Sequence, residues 1–511
     1  MTFPRRRILA SLAIPATAVL ALAGCSGSGD DGSSGTGGDS HDKLVLGMTA
    51  DLTAGWDSDG QPPYQSWGIQ AVYETLAFCL PGGDIEPQAA DEITISDDKT
   101  SFTAHLRAGN TFSDGSPVDA AAVQASFEDI MDTASDRYGG ITFEISDPET
   151  ITVTWPDPQP LMNLRICQPY LSNADYFASA DRDTTPIGSG PYTYDAASST
   201  TGSIYELTKK DDYWNADAYP YENLELRVLA DETASINALK TGQIDGTVFS
   251  PGAYDEVEKS GKSILETPGA GLTMIHLTDR LGETIPALGD VRVRQAMNMV
   301  IDKQQIVDQL YDGHATVIDQ PLQEGSQGYL DDLEDPYPFD VDKAKALMKE
   351  AGFEDGFTMT VPTMEGQAWT VMLPYLKQQL GELNITVEEK VLSGPDAITN
   401  LLSGDYPVPV WNVGGASSIE DISIHILSTG FWNVSHEDDA TVDELWQQIV
   451  TGDEAQSIAA QQEINQYAVD QAWFVPILAP TNFYAYDGDK VTIADPTTDA
   501  FKLHPNLIDF Q

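Results

Sequence analysis

The sequence contains few basic residues. Its 511 residues include 26 Lys and Arg against 80 Asp and Glu, which gives a formal net charge of −54 at pH 7. A field of that sign repels nucleic acid and anionic lipid headgroups, so neither is expected as a partner. The acids are spread along the chain, which is typical of a protein kept soluble by its charge. The charge therefore excludes classes of partner and does not name one.

Histidine and catalytic motifs are also scarce. The seven histidines are well separated, and no HExxH or paired metal-ligand spacing occurs among them. The Gly-x-Ser-x-Gly motif of serine hydrolases is absent from the sequence. With 80 acids, some carboxylates will be neighbours by chance, so no pair indicates a glycosidase. We expect no catalytic residue, no metal and no cofactor; an exported, lipid-anchored hydrolase acting on sugar or peptide is the alternative.

One long apolar run occurs, and it lies at the N-terminus. Three arginines precede an apolar stretch at residues 8–22, which is shorter than the ~20 residues of a membrane span. This pattern predicts a secretory signal peptide over residues 1–24. The tetrapeptide Leu22–Cys25 resembles the lipobox of bacterial lipoproteins, so we expect acylated Cys25 to anchor the chain to the outer face of the cell membrane. Residues 25–42 lack large apolar side chains and are predicted to be a flexible linker.

Only two further cysteines occur, Cys79 and Cys167. Outside the cytoplasm, such a pair is more often a disulfide than two free thiols. Neither lies near a histidine or another cysteine in metal-ligand spacing. We expect a structural bridge between them, with two free thiols as the alternative.

Hydrophobic spacing predicts α/β structure in two or three lobes. At 511 residues the chain is too long for one ordinary core. Residues 273–278 are of strand type, and Asp290 precedes an amphipathic helix. Asp302 and Gln305 form a capping-box pattern, which predicts a second helix that ends at Gly313.

The rest of the chain alternates between strand and helix patterns. Strands are predicted at 44–50, 102–106, 357–361, 385–387 and 473–477, and helices at 67–80, from 120 onward, and at 232–240, 336–352, 369–380 and 446–471. The alternation after residue 336 predicts a βαβ unit in a second lobe.

Four segments share residue identity and order with a known family. They are residues 290–313 (DVRVRQAMNMVIDKQQIVDQLYDG), 106–123 with a Phe-Ser-Asp-Gly turn, 185–192 (TPIGSGPY) and 209–245, which opens with KKDDYWN. With these segments the chain resembles family five of the bacterial extracellular solute-binding proteins, the peptide, nickel and oligosaccharide receptors of ABC importers. The glycines of 185–192 are not followed by Lys-Ser/Thr, so we predict a tight chain crossing there and not a phosphate loop.

The resemblance implies an α/β, two-lobed fold of the periplasmic-binding-protein type (class II), with an extra subdomain and mixed sheets flanked by helices. Lobe I would comprise residues 43–86, 186–272 and 476–511, the extra subdomain 87–185, and lobe II 273–475. The implied partners are an oligopeptide or other polar small molecule, bound between the lobes, and the transmembrane subunits of an ABC permease. The protein is expected to act as a monomer.

Candidate cleft residues follow from position and residue type. They are Asp51, Trp56, Trp67, Glu365, Trp411 and Asn412. Trp411 is either a wall of the ligand site or a core residue, and Glu365 is either a ligand contact or a solvated loop acid.

The ligand is not fixed by the resemblance. In peptide-binding relatives, an aspartate after the corresponding strand takes the peptide amine; here that position falls within 415–418, which contains no acid. The arginine that takes the carboxylate in some dipeptide receptors falls near Glu365. A buried charge normally needs a partner, so a dipeptide is poorly matched. Polar neutral ligands, cationic ligands and longer peptides bound through their backbone stay open.

Overall fold

The computed structural model describes residues 41–511 except 53–54, 58–65, 81–82, 270, 365–366, 395, 416 and 495–503. The predicted signal peptide, Cys25 and Glu365 therefore lie outside the described residues. His41–Gln511 forms one compact unit. Among the described residues, no helix combines the length and the apolar character needed to cross a bilayer.

The elements of the described residues are given in chain order. The strands are β1 (His41–Met48), β2 (Ala77–Cys79), β3 (Ile85–Pro87), β4 (Ala90–Ile95), β5 (Ser101–Leu106), β6 (Thr142–Asp147), β7 (Thr150–Thr154), β8 (Tyr192–Tyr194), β9 (Ile204–Lys209), β10 (Tyr221–Val228), β11 (Gly246–Phe249), β12 (Ser263–Pro268), β13 (Leu272–His276), β14 (Ala315–Val317), β15 (Thr358–Met364), β16 (Thr386–Leu392), β17 (Val410–Val413) and β18 (Phe474–Tyr486). The helices are α1 (Ser66–Val72), α2 (Ala120–Thr133), α3 (Ser135–Tyr138), α4 (Met162–Cys167), α5 (Ala174–Phe177), α6 (Glu232–Lys240), α7 (Tyr254–Lys259), α8 (Val291–Met299), α9 (Lys303–Leu310), α10 (Val341–Ala351), α11 (Leu373–Gly381), α12 (Ala397–Leu401), α13 (Ser418–His425), α14 (Ala440–Thr451) and α15 (Glu454–Asp470).

The largest sheet is mixed, and one long strand, β18, pairs with strands on both of its sides. Its order is β17-β13-β18-β11-β1-β10-β9-β8, and β12 and β14 also pair with β18. The first part of β18 pairs with β13 and β14, up to Pro480. From Thr481 onward it pairs with β12 and then also with β11. One uninterrupted strand therefore belongs to both predicted lobes, and its partners change between Pro480 and Thr481.

Each lobe has its own apolar core. In lobe I, β1 pairs in parallel with β10 and β11, and its side chains Leu44 and Leu46 are buried. In lobe II, α8, α9, α10 and α11 enclose a second core. The predicted βαβ unit is present there, because β15 and β16 are parallel and α11 lies between them in the chain. The alternating and helical periodicities of the sequence are thus realised as sheets flanked by helices.

The extra subdomain is a four-stranded antiparallel sheet of order β4-β5-β7-β6, whose core includes Phe127 of α2. The β2–β3 hairpin packs with it, since Leu76, Ala77 and Ile85 belong to the same apolar cluster. The core of the subdomain therefore begins about ten residues before the predicted boundary at 87.

The predicted helix at 67–80 is wrong beyond Val72. The segment 185–192 crosses the end of this helix so closely that a Cβ atom at Gly188 would lie 2.0 Å from the Val72 carbonyl oxygen. The Gly190 N–H also donates to that carbonyl at 2.8 Å. The tight crossing expected from the two glycines thus ends α1, and the chain continues into β2.

Two other predicted boundaries also differ. The helix predicted at 446–471 is two helices, because Asp453 forms a capping box with Gln456 and starts α15. At the N-terminus, β1 begins at His41, inside the predicted linker, because His41 pairs with Tyr221 of β10. By contrast, the helix predicted from Asp302 is confirmed, since the Asp302 carboxylate accepts the Gln305 N–H at 3.0 Å.

Candidate ligand-binding cleft

The lobe I side of the cleft is built at the carboxyl ends of parallel strands. β1 and β11 end side by side, and open α/β sheets bind ligands at such ends. The residues that follow β1, together with Trp67, Val248 and His504, line a cavity of about 350 Å³. Asp51 lies just beyond, half-buried, and accepts a hydrogen bond from the Tyr205 hydroxyl at 2.5 Å. Its carboxylate is therefore already engaged within lobe I.

Trp56 and Trp67 are both buried in lobe I. Trp56 is 2% exposed, and its ring packs on Tyr194 with 4.6 Å between ring centroids. It packs in the core of lobe I, and ligand contact by it stays a prediction. Trp67 is equally buried, and its Nε1–H donates to the Pro505 carbonyl at 2.8 Å. Because Trp67 still borders the lobe I cavity, ligand contact by it stays a prediction.

The lobe II side contains a cluster of three tryptophans. The half-buried ring of Trp411 on β17 lies 5.2 Å from Trp432 and 5.8 Å from Trp369, between centroids. The Trp369 Nε1–H is buried and finds no acceptor among the described residues. Asn412 follows Trp411 on the opposite face of β17 and is half-buried. Trp411 is thus partly a packing residue and partly exposed, so both interpretations of it stay open.

Asp421 on α13 is a buried acid beside the loop that follows β17, and the sequence pattern did not point to it. It is 1% exposed, and its Oδ1 accepts the Gly415 N–H at 2.5 Å, just after β17. Burial raises the pKa of this carboxyl from 3.8 to about 8. Ser417 is the N-cap of α13, and Asp421 lies one turn into that helix. The sequence signal available here was therefore an N-capped helix with an acid in its first turn. Asp421 therefore holds the loop in neutral form and does not present a charge to the cleft.

Two buried histidines pack against each other, and one of them lies near Asp421. His276 on β13 and His425 on α13 have ring centroids 5.1 Å apart, and His425 Nε2 lies 3.9 Å from Asp421 Oδ1. No ring nitrogen of either histidine has a hydrogen-bond partner within the described chain. Burial lowers the pKa of His276 to about 3 and that of His425 well below its usual range. The cluster is therefore uncharged at neutral pH.

A second contact region lies between the subdomain and lobe II. A cavity of about 210 Å³ there is lined by residues of both, including Gly83, Lys99, Asn163, Ser417 and Gln461. Gly83, at the β2–β3 hairpin, approaches so closely that an added Cβ would lie 2.9 Å from that of Ser417. The subdomain therefore touches the capped start of α13.

The Cys79–Cys167 pair lies behind this contact. The structure joins the two residues in a disulfide with 5.7 Å between their Cα atoms, which ties β2 to the end of α4. Cys79 borders the cavity between the subdomain and lobe II and also a larger one, of about 350 Å³, between the subdomain and lobe I. The expected bridge is thus present, and it braces the hairpin that faces lobe II.

A buried carboxylate joins the subdomain to lobe I. Glu74 is fully buried and accepts hydrogen bonds from Asn110 Nδ2 (3.0 Å), the Tyr213 hydroxyl (3.0 Å) and Trp214 Nε1 (2.7 Å). Burial raises the pKa of this carboxyl. Asn110 comes from the subdomain and the two aromatic residues from lobe I, so one side chain fixes their mutual position.

Comparison with known proteins agrees with this architecture. The sequence model of the family described as bacterial extracellular solute-binding proteins, family 5 (middle), matches residues 84–433. Heme-binding protein A of Haemophilus influenzae is 27% identical over 56% of this chain and 58% of that protein. The glutathione-binding protein GsiB of Escherichia coli K12 is 26% identical over 62% of this chain and 64% of that protein. The chain therefore spans less than two thirds of the length of these relatives.

The fold is matched over nearly the whole chain. The crystal structure of the ABC transporter substrate-binding protein CtaP from Listeria monocytogenes superposes with a TM-score of 0.79 at 25% identity. The match covers 92% of this chain and 99% of that one. The two-lobed α/β fold with sheets flanked by helices is thereby confirmed.

Proposed function

Because the chain belongs to family 5 of the bacterial extracellular solute-binding proteins, we propose that it captures a solute between its two lobes and delivers it to the transmembrane subunits of an ABC importer. The observation that carries this proposal is the path of β18, which pairs with strands of both lobes. A receptor of this kind needs two bodies that can close on a ligand around a small connecting segment. A strand shared by both lobes provides that connection.

The ligand that fits best is uncharged and polar, or a peptide held through its backbone. The lobe II wall offers an indole at Trp411 and a carboxamide at Asn412, and residues 414–418 are uncharged. Asp421 is neutral, and Asp51 is held by Tyr205. Burying the charged ends of a small zwitterion against such groups would be unfavourable. Aromatic faces with a few polar groups suit neutral ligands.

The proposal predicts binding without turnover. Native mass spectrometry of the protein purified from its natural source should show a retained small molecule in stoichiometric amount. Adding that molecule at 100 times its Kd should stabilise the folded state by about 2.7 kcal/mol through mass action. Catalytic conversion of a sugar or peptide, abolished by one carboxylate or serine substitution, would instead place the chain among hydrolases.

Trp411→Ala should weaken binding of the retained ligand by about ten- to a hundredfold, because an aromatic buried on a ligand contributes roughly 1–3 kcal/mol. Isothermal titration and a urea melt would be run side by side. Trp446→Ala is the control, since this half-buried tryptophan lies on α14. The control should lose stability and keep its affinity. If Trp411→Ala behaves like the control, Trp411 is a core residue and not part of the site.

We also propose that Cys25 carries the lipid anchor, on the basis of the Leu22–Cys25 motif behind a basic and apolar leader. Cys25→Ala should leave the protein unacylated and released into the medium. Metabolic labelling with a fatty acid, followed by fractionation, would measure this. Equal labelling of wild type and variant would contradict the proposal.

A further inference from the structure

Lys99 connects the subdomain to lobe II. It lies in the turn between β4 and β5, and its Nζ donates to the Ile449 carbonyl at 3.2 Å and to the Gly452 carbonyl at 3.5 Å. Both carbonyls are at the carboxyl end of α14, where Gly452 is the capping residue. The last carbonyls of a helix lack intrahelical partners and attract cations. The ammonium group of one body thus caps a helix of the other.

The backbone of Lys99 is unusual for a lysine. Its φ of 55° lies in the left-handed region, which glycine and asparagine adopt far more readily. The turn is fixed by its neighbours, since the Asp98 carboxylate accepts from the Ser96 hydroxyl and from the Thr100 N–H. The Lys99 N–H donates to the Ser96 carbonyl at 2.9 Å. The hydrogen bonds of this turn do not require a lysine at position 99. We therefore attribute the strained backbone of Lys99 to the contacts that its side chain makes.

The surroundings of Lys99 are acidic on both sides. Asp97 and Asp98 precede it in the subdomain, and Asp453 and Glu454 follow α14 in lobe II, all four of them exposed. In a chain with a net charge of −54, two such surfaces repel each other as they approach. Lys99 is the one basic residue among the described residues that line the cavity between the subdomain and lobe II. It therefore offsets this repulsion at the point of contact.

We propose that Lys99 is a latch: it stabilises the arrangement in which the subdomain touches lobe II, and it acts on ligand affinity without contacting the ligand. A ligand that binds only the closed state has an apparent affinity proportional to the population of that state. Lys99 is thus a positioning residue. The step from closure to affinity rests on the proposed function, whereas the effect on closure does not.

The test measures closure without ligand. Donor and acceptor dyes are attached at Glu128→Cys on α2 and Glu444→Cys on α14, both exposed positions, in the full chain carrying Cys25→Ala so that only the introduced thiols react. Single-molecule energy transfer then gives the ratio of short-distance to long-distance molecules. Lys99→Gly should lower that ratio by about tenfold, because it removes a charge-assisted bond at a helix terminus. Lys99→Asn should lower the ratio by a similar factor. Lys99→Arg keeps the positive charge and should leave the ratio close to that of wild type.

A second readout separates a latch from a merely structural residue. Glycine relieves the left-handed backbone, so the urea midpoint of Lys99→Gly should stay equal to that of wild type or rise. Lys349→Gln, at an exposed lysine of α10, is the control and should change neither readout. Unchanged distances in both Lys99→Gly and Lys99→Asn would overturn the proposal, as would a wild-type chain found only at the long distance. Because no ligand is used, failure here leaves the proposed transport function to its own test.

Discussion

Asp421→Asn should stabilise the protein by about 5 kcal/mol at pH 8 and by only about 0.5 kcal/mol at pH 4. The carboxyl has an ordinary pKa of 3.8, and burial raises it to about 8 in the folded chain. Between these values the unfolded state ionises while the folded state keeps its proton. Stability is therefore full below pH 3.8 and is lost as pH rises towards 8. A neutral amide removes this loss.

The local contacts allow the exchange. Oδ1 of Asp421 accepts from Gly415, and an amide oxygen can do the same. Oδ2 has no hydrogen-bond partner among the described residues, although the nearby Gln323 N–H acts to lower the pKa of the carboxyl. The nearest polar atom of His425 lies 3.9 Å from the carboxylate. Asparagine thus retains the acceptor that holds the loop.

Urea unfolding followed by tryptophan fluorescence, at pH values from 4 to 8.5, would measure the effect. The difference between variant and wild type isolates Asp421, because the buried histidines contribute equally to both. Exposed Asp405→Asn is the control and should stay within about 0.5 kcal/mol at every pH. A flat difference profile, or a variant that is less stable at pH 8, would show that Asp421 is ionised in the folded protein.

Glu74→Leu should destabilise the protein by about 3 kcal/mol at pH 7. Both Glu74 and Asp421 are buried acids with raised pKa values, yet their surroundings differ. Three side-chain donors converge on Glu74, and leucine would leave the groups of Asn110, Tyr213 and Trp214 without their acceptor. Leucine fills a similar volume, so the loss reports hydrogen bonds and not a cavity.

The measurement is the free energy of urea unfolding, with Glu86→Leu as the matched control because Glu86 is an exposed acid on the nearby β3. The control should lie within about 0.5 kcal/mol of wild type. A Glu74→Leu protein as stable as the control would mean that the three donors find water or other acceptors. In that case Glu74 does not tie the subdomain to lobe I.

Elements whose signals are local could be predicted from the sequence. The helix capped by Asp302 and the βαβ unit of β15, α11 and β16 depend on spacing and caps within a few residues. The early end of α1 could not be predicted, because it is imposed by Gly188 and Gly190 from a segment more than a hundred residues away. The capping residue Asp453 marks the division between α14 and α15 in the sequence. Helical spacing on both sides of it favoured one continuous helix instead.

The burial and contacts of the candidate site residues could not be predicted from the sequence, because they depend on tertiary packing. Residue type and position proposed Trp56, but only tertiary packing shows that it is 2% exposed. Asp421 lies beyond residues 415–418, where the resemblance would place an acid, and the fold brings its carboxyl back from the next helix to the loop after β17. Whether a polar side chain faces ligand, loop or core depends on contacts between distant segments, and the hydrophobic pattern does not encode these.

The path of β18 also restricts how this molecule can vary. A strand can twist or bend, but it hardly lengthens, because its rise is about 3.3 Å per residue. The first part of β18 is hydrogen-bonded to β13 and β14 and the second to β11 and β12, so neither lobe can slide along it without breaking a ladder. The partners of β18 change between Pro480 and Thr481, so we expect any relative motion of the lobes to be a rotation at this point. We therefore expect that the loops lining the cleft can change in length and sequence without altering how the two lobes approach each other. A different ligand could then be bound with the same connection between the lobes.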